Sequence, residues 1–112
     1  TGVREQADIA KGKADVATIR AAIVNERQRR LIQGDATWIT TANLDTGGEL
    51  FGGVLTTPMK NENSASHWYN NSPGDGTYTY TVGSTATTFT YEDTNGTFSC
   101  TSGSAKCDEL TD

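Results

Sequence analysis

The sequence predicts an α+β fold in which one long N-terminal helix packs on a three- or four-stranded antiparallel sheet. Three observations predict it. Apolar residues in the first third recur at helical spacing, residues after His67 alternate with a period of two, and dense turn chemistry separates the alternating runs. A sheet with one aromatic face needs a cover, and the amphipathic helix is the only stretch large enough. At 112 residues the chain is a single domain, 1–112, with one modest core.

Residues 1–33 form the helical segment. Ile9, Val16, Ile19, Ile23, Val24 and Leu31 fall within an arc of roughly 140° at about 100° per residue, the width of a core-facing stripe. Ala10, Ala14, Ala17 and Ala21 recur at steps of three and four and make a second seam beside that stripe. Alanine is the best helix former and also lets a neighbouring helix approach closely. Asp8 near the start and Arg27, Arg29 and Arg30 in the last turns suit the helix dipole. Glu26 and Arg30 are spaced i,i+4 in the favourable order. Gly12 is an interior blemish worth about 1 kcal/mol, and Gly34 is placed to end the helix.

Residues 34–66 read as a connecting loop. Thr37–Thr41 suits a short strand or a wrap from helix to loop, and Leu50, Phe51, Val54 and Leu55 would drape over the core. A single helical turn is expected near Leu44 or Phe51. The pairs Gly47-Gly48 and Gly52-Gly53 lack the pattern of a phosphate loop.

Residues 67–100 read as an antiparallel meander. Tyr78, Tyr80 and Val82 share one face with Phe89, Tyr91 and Phe98, while threonines take the other. Asn71–Gly76 and Gly83–Thr85 are turns, and Asp93-Thr94-Asn95-Gly96 is a hairpin turn in which Asn-Gly supplies positive φ angles. Cys100 and Cys107, with six residues between them, read as a disulfide closing a C-terminal loop over 100–112. Zinc needs about four ligands, and a single histidine is present, so a metal site through Cys and His is the weaker reading. A bridge places the domain in an oxidising compartment.

Charge divides sharply along the chain. Residues 1–33 carry seven Lys/Arg against four Asp/Glu, and residues 34–112 carry two against ten, for a net −5. A basic helix on an acidic body can stack on copies of itself, or can simply be solvated. The short basic run Arg27-Gln28-Arg29-Arg30 ends a helix in an acidic protein, so no specific nucleic-acid partner is expected. Catalysis is not expected either: His67 has no companion nucleophile motif and the carboxylates are scattered through turns.

The run Lys13-Ala14-Asp15-Val16-Ala17-Thr18-Ile19-Arg20-Ala21-Ala22-Ile23 resembles the soluble half of the first helix in bacterial type IV pilins and type II secretion pseudopilins. The order of helix, connecting loop, antiparallel sheet and C-terminal cysteine pair also resembles that family. The resemblance in sequence covers about residues 10–32. It implies a pilin-like fold and a structural, non-enzymatic role as a filament subunit. It further implies an apolar helix upstream of Thr1 that sits in the inner membrane before assembly and in a periplasmic or extracellular filament afterwards. On that view Ala10, Ala14, Ala17 and Ala21 with Arg20, Arg27, Arg29 and Arg30 face neighbouring subunits. The filament would serve secretion, DNA uptake, adhesion or motility.

Other readings remain open. The calcium loop of the pseudopilins is not recognisable, although Asp108, Glu109 and Asp112 cluster after Cys107 and Asn71, Asp75 and Asp93 lie in turns; no cofactor is assigned, and calcium is the weaker alternative. Trp68, Tyr69, Tyr78 and Tyr80 could instead make an aromatic platform for carbohydrate or a single nucleic-acid strand, as in an extracytoplasmic adhesin. Asn95 lies in an N-x-T sequence with Asp93 two residues before it, a possible glycosylation site on an exposed turn.

Overall fold

The computed structural model describes residues 2–46 and 49–112. Helix α1 runs Val3–Ile32. Thirty helical residues span about 45 Å, close to the 48 Å longest extent of the molecule. The helix ends in a Schellman arrangement: Gly34, at φ +83°, donates to Leu31, and Asp35 donates to Arg30 at 2.8 Å. That is the glycine-terminated end expected from the sequence.

A short helix α2, Thr41–Leu44, follows, capped by the Thr40 hydroxyl. The four-stranded sheet is then built in sequence order from β1 (Trp68–Tyr69), β2 (Thr77–Val82), β3 (Thr85–Glu92) and β4 (Thr97–Cys100), all antiparallel. The chain closes with α3, Cys107–Thr111. The architecture is therefore α+β, with one long helix and four antiparallel strands.

The core lies between α1 and the inward face of the sheet, where alternation along β2 and β3 buries every second residue. Phe51 reaches into its centre from the connecting region, its ring 4.6 Å from Tyr78 and edge-on to Trp68 and Phe98. The three inward tyrosines each use the hydroxyl to tie the sheet to a different segment. Tyr80 donates to the Asp8 carbonyl at 2.6 Å, Tyr91 to the Ile39 carbonyl at 2.7 Å, and Tyr78 to the Asp45 carboxylate at 2.7 Å. Phe89 and Phe98, on the same face, have no polar tip to satisfy. Burial pushes the Tyr80 and Tyr91 phenols up to about 12 and Tyr78 higher still, so these rings stay protonated wherever the fold persists.

Several elements differ from the sequence reading. The connecting region 34–66 holds the helical turn expected near Leu44, as α2, and adds two features not expected: a bridge from Leu50 to Met59, and an Asn61 side chain that both donates to and accepts from the Asn70 backbone. Residues 37–40 form no strand and lead into α2, the wrap rather than the strand. The Gly47-Gly48 pair lies outside the described residues. The 93–96 turn is a four-residue loop between Glu92 and Thr97, and only Gly96 of the Asn-Gly pair has positive φ. Asn95 acts through its side chain, which accepts from the Thr97 amide and hydroxyl. α3 was not expected from the sequence; its Leu110 is fully buried against α1.

Gly12 is not a blemish. A Cβ there would collide with the Tyr80 ring and lie 2.7 Å from Leu110 Cδ2. The missing side chain lets sheet and α3 meet the helix backbone. Asp8 is likewise no mere dipole partner. It is buried, accepts from the Ser66 hydroxyl at 2.6 Å and from the Gly83 amide at 2.9 Å, and so joins the helix to the connecting region and the β2–β3 turn.

Candidate assembly face of the N-terminal helix

The buried residues of α1 are Asp8, Gly12, Val16, Ile19 and Ile23. On a helical wheel at about 100° per residue they centre near one direction, and Ala10, Ala14, Ala17 and Ala21 centre almost diametrically across from it. The seam is therefore opposite the core stripe, not beside it. The aliphatic residues alone point to one side of the true buried direction, because Asp8 and Gly12 help define it. The same displacement explains a second correction: Val24 and Leu31, assigned to the core, are 44% and 48% exposed.

The four alanines are exposed, and so are Val3, Gln6, Ala7, Thr18, Val24, Asn25, Gln28 and Ile32 around them. Together these residues fill the outward face of the helix from its first turn to its last. None is charged. Every Lys, Arg, Asp and Glu of α1 projects from the remaining sides. A helix face meant only for water ordinarily carries charges. This one is small, weakly apolar and smooth over its full length, with Val3 and Ile32 at its two ends among the most exposed apolar side chains of the protein.

The arginines expected to face neighbouring subunits are held largely within the chain. Arg20 Nε donates to the Phe98 carbonyl at 2.9 Å, on the outer edge of β4. The Arg27 guanidinium lies 4.5 Å above the Trp38 ring, which in turn rests against Gly96. Arg30 pairs with Glu26 at 2.8 Å and reaches the Thr37 hydroxyl. Arg29 also binds Glu26 but is more exposed. Three of these four positions thus anchor the helix to its own domain, so reversing their charge would disturb the monomer as well as any contact between copies.

These contacts carry a pH dependence. The Arg29 and Arg30 guanidiniums hold the Glu26 carboxyl down to about 2, from an ordinary 4.5. The Ser66 hydroxyl and the Gly83 amide lower Asp8 despite its burial. Both carboxyls are depressed in the folded state, so their stabilisation is complete above about pH 4.5 and is lost as pH falls toward 2. Thermal melts from neutrality into that window are expected to show a falling Tm. Glu26→Gln should flatten the decline by an amount that solvent screening holds to about 1 kcal/mol. An unchanged slope in both Glu26→Gln and Asp8→Asn would contradict this assignment.

Other positions singled out in the sequence fall as follows. Cys100 and Cys107 form a disulfide with Cα atoms 5.8 Å apart. Asn95 is exposed on its turn. Trp68, Tyr78 and Tyr80 are core residues, so the proposed aromatic platform does not exist; Tyr69 alone of the four is partly exposed. Among the described residues no three His, Cys, Asp or Glu side chains converge as a metal site. Asp75, Asp93 and Asp108 instead accept from neighbouring amides, side chains or both. His67 has Ser64 beside it, but the serine hydroxyl and the Glu62 carboxylate both approach the same ring nitrogen, Nδ1, at 3.1 and 3.5 Å. A hydrolytic triad places them on opposite nitrogens. The sequence reading missed Asp45, which has no local signal; it places the threonines on the outer side of the sheet, where they lie, but assigns them no role.

Comparison with protein-family models, curated proteins and solved structures finds no match for this chain.

Proposed function

We propose that this protein is a structural subunit of a filament, assembled helix on helix in the manner of the type IV pilins and type II secretion pseudopilins that its first helix resembles. One observation carries the reading: the exposed face of α1 lacks charge along its whole length. The occupant that suits such a face is the same face of another copy. Alanine at each contact lets helix axes approach closely, and dispersion then acts over a long seam. The pilin-like layout, with the sheet on the outside and α1 continuing an upstream apolar helix in the inner membrane, follows from the same reading. So does placement in the periplasm or beyond, where the Cys100–Cys107 bridge persists.

Ala17→Arg tests it. The side chain is exposed, so the isolated chain should melt within about 0.5 kcal/mol of the parent. In the intact gene product, made in its source cells, the same substitution is expected to abolish recovery of the subunit in sheared filaments. Filaments that form normally from the variant would overturn the proposal.

A further inference from the structure

The outward side of the sheet holds a concavity of about 480 Å³. Its floor is Thr88, Thr90 and Glu92 of β3 with Ser99 of β4, and its wall is the disulfide-closed loop, which contributes Thr101 and Ser104. The volume lies in the range of small-molecule sites. Its lining combines five hydroxyl-bearing side chains with one carboxylate, and no basic or aromatic residue lines it among the described residues. The Thr88, Thr90, Ser99 and Thr101 hydroxyls make no hydrogen bond within the described chain, and Glu92 makes no ion pair there.

The wall is built to stay in place. The Cys100–Cys107 bridge closes the loop. The Lys106 amide donates to the hydroxyl of Thr87, a residue fully buried in β3. Ser104 bonds the Thr101 carbonyl, and Asp108 accepts from Ser102 and Gly103. Ala105, at the rim, is held at φ +45°, a conformation that a non-glycine residue keeps only when its surroundings enforce it.

We propose that this concavity binds a neutral saccharide. Hydroxyl groups both donate and accept, so a row of free threonine and serine hydroxyls matches the vicinal hydroxyls of a sugar ring. A carboxylate at one end can accept from two adjacent ring hydroxyls through charge-assisted bonds. The absence of a cation disfavours phosphate, sulfate and nucleic acid, and the polar lining disfavours lipid. A wall already ordered before binding reduces the entropy lost when a weak ligand settles. The site lies on the opposite side of the sheet from the aromatic core and away from α1, so it does not depend on assembly.

The test is a titration of the isolated 112-residue chain with D-glucose, D-galactose, D-mannose and N-acetyl-D-glucosamine, followed by amide ¹⁵N–¹H spectra. At least one sugar is expected to shift, saturably, the amides of residues 88–92 and 99–105, with the rest of the spectrum unmoved. Glu92→Gln should weaken that binding about ten-fold, the effect of one lost charge-assisted hydrogen bond. Thr90→Val, isosteric on the exposed floor, should weaken it without altering the melting temperature. Spectra unmoved by all four sugars would overturn the proposal, as would shifts outside these segments or shifts that persist unchanged in both variants. Filament assembly is read separately through Ala17→Arg, so either idea can fail alone.

Discussion

Replacing Asp45 by alanine is expected to destabilise the protein by about 3–5 kcal/mol, the largest effect of any single polar substitution here. Its buried carboxylate accepts from the Phe51 amide at 3.1 Å, the Gly74 amide at 3.0 Å and the Tyr78 hydroxyl at 2.7 Å. Alanine would leave all three donors without this acceptor, two of them, the Phe51 amide and the Tyr78 hydroxyl, in fully buried bonds. The Phe51 bond matters most for the architecture. Phe51 sits at φ +62°, a strained setting for an aromatic residue, and its ring occupies the middle of the core. Loss of the carboxylate frees that backbone to relax and draws the ring away from Tyr78. Urea unfolding would measure the effect. Tyr78→Phe removes one orphaned donor, so in the Asp45→Ala background it should cost less than it does alone. A loss below about 1 kcal/mol would show that Asp45 is not the organising group of this loop.

Gly12→Ala is expected to destabilise by about 2 kcal/mol, whereas helix propensity alone predicts a gain of about 1 kcal/mol. The sign therefore discriminates between two descriptions of the same residue. The new methyl would meet the Tyr80 ring and Leu110, and Tyr80 cannot swing aside, because its hydroxyl is bound to the Asp8 carbonyl. Either α1 lifts off the sheet or α3 moves. Leu110→Ala in the Gly12→Ala background would return part of the lost space, so the two substitutions together should cost less than their sum. A more stable Gly12→Ala protein would mean that the helix does not press on the sheet as described.

Much of this architecture was legible in the sequence. Helical spacing through residues 7–33 located α1, and alternation located β2, β3 and β4, since each element has one buried and one exposed side; β3 nevertheless begins at Thr85, which reads as turn in the sequence but pairs with Val82. What escaped were features that depend on contacts between distant segments. Asp8 reads only as a helix-dipole partner because its other partners, Ser66 and Gly83, are more than fifty residues away. Gly12 read as a defect because nothing local announces Tyr80. α3 is too short for a periodic pattern and follows the bridge without a cap. The face opposite the core escapes the aliphatic pattern as well, because the polar Asp8 and the glycine Gly12 complete the buried side. The aromatic residues shared by β2, β3 and β4 were visible, but pattern alone does not say whether such rings are covered; the structure covers them with α1 and Phe51.

The contacts that clasp α1 are spread along its whole length. Asp8 and Gly12 are gripped near one end, Arg20 at the middle, and Arg27 and Arg30 near the other. A pull directed along the rod therefore strains all of them at once, in shear, and none can be peeled open ahead of the rest. The body rides on the rod as a sleeve bolted at several stations, an attachment that resists axial tension far better than it resists a sideways tug at either tip.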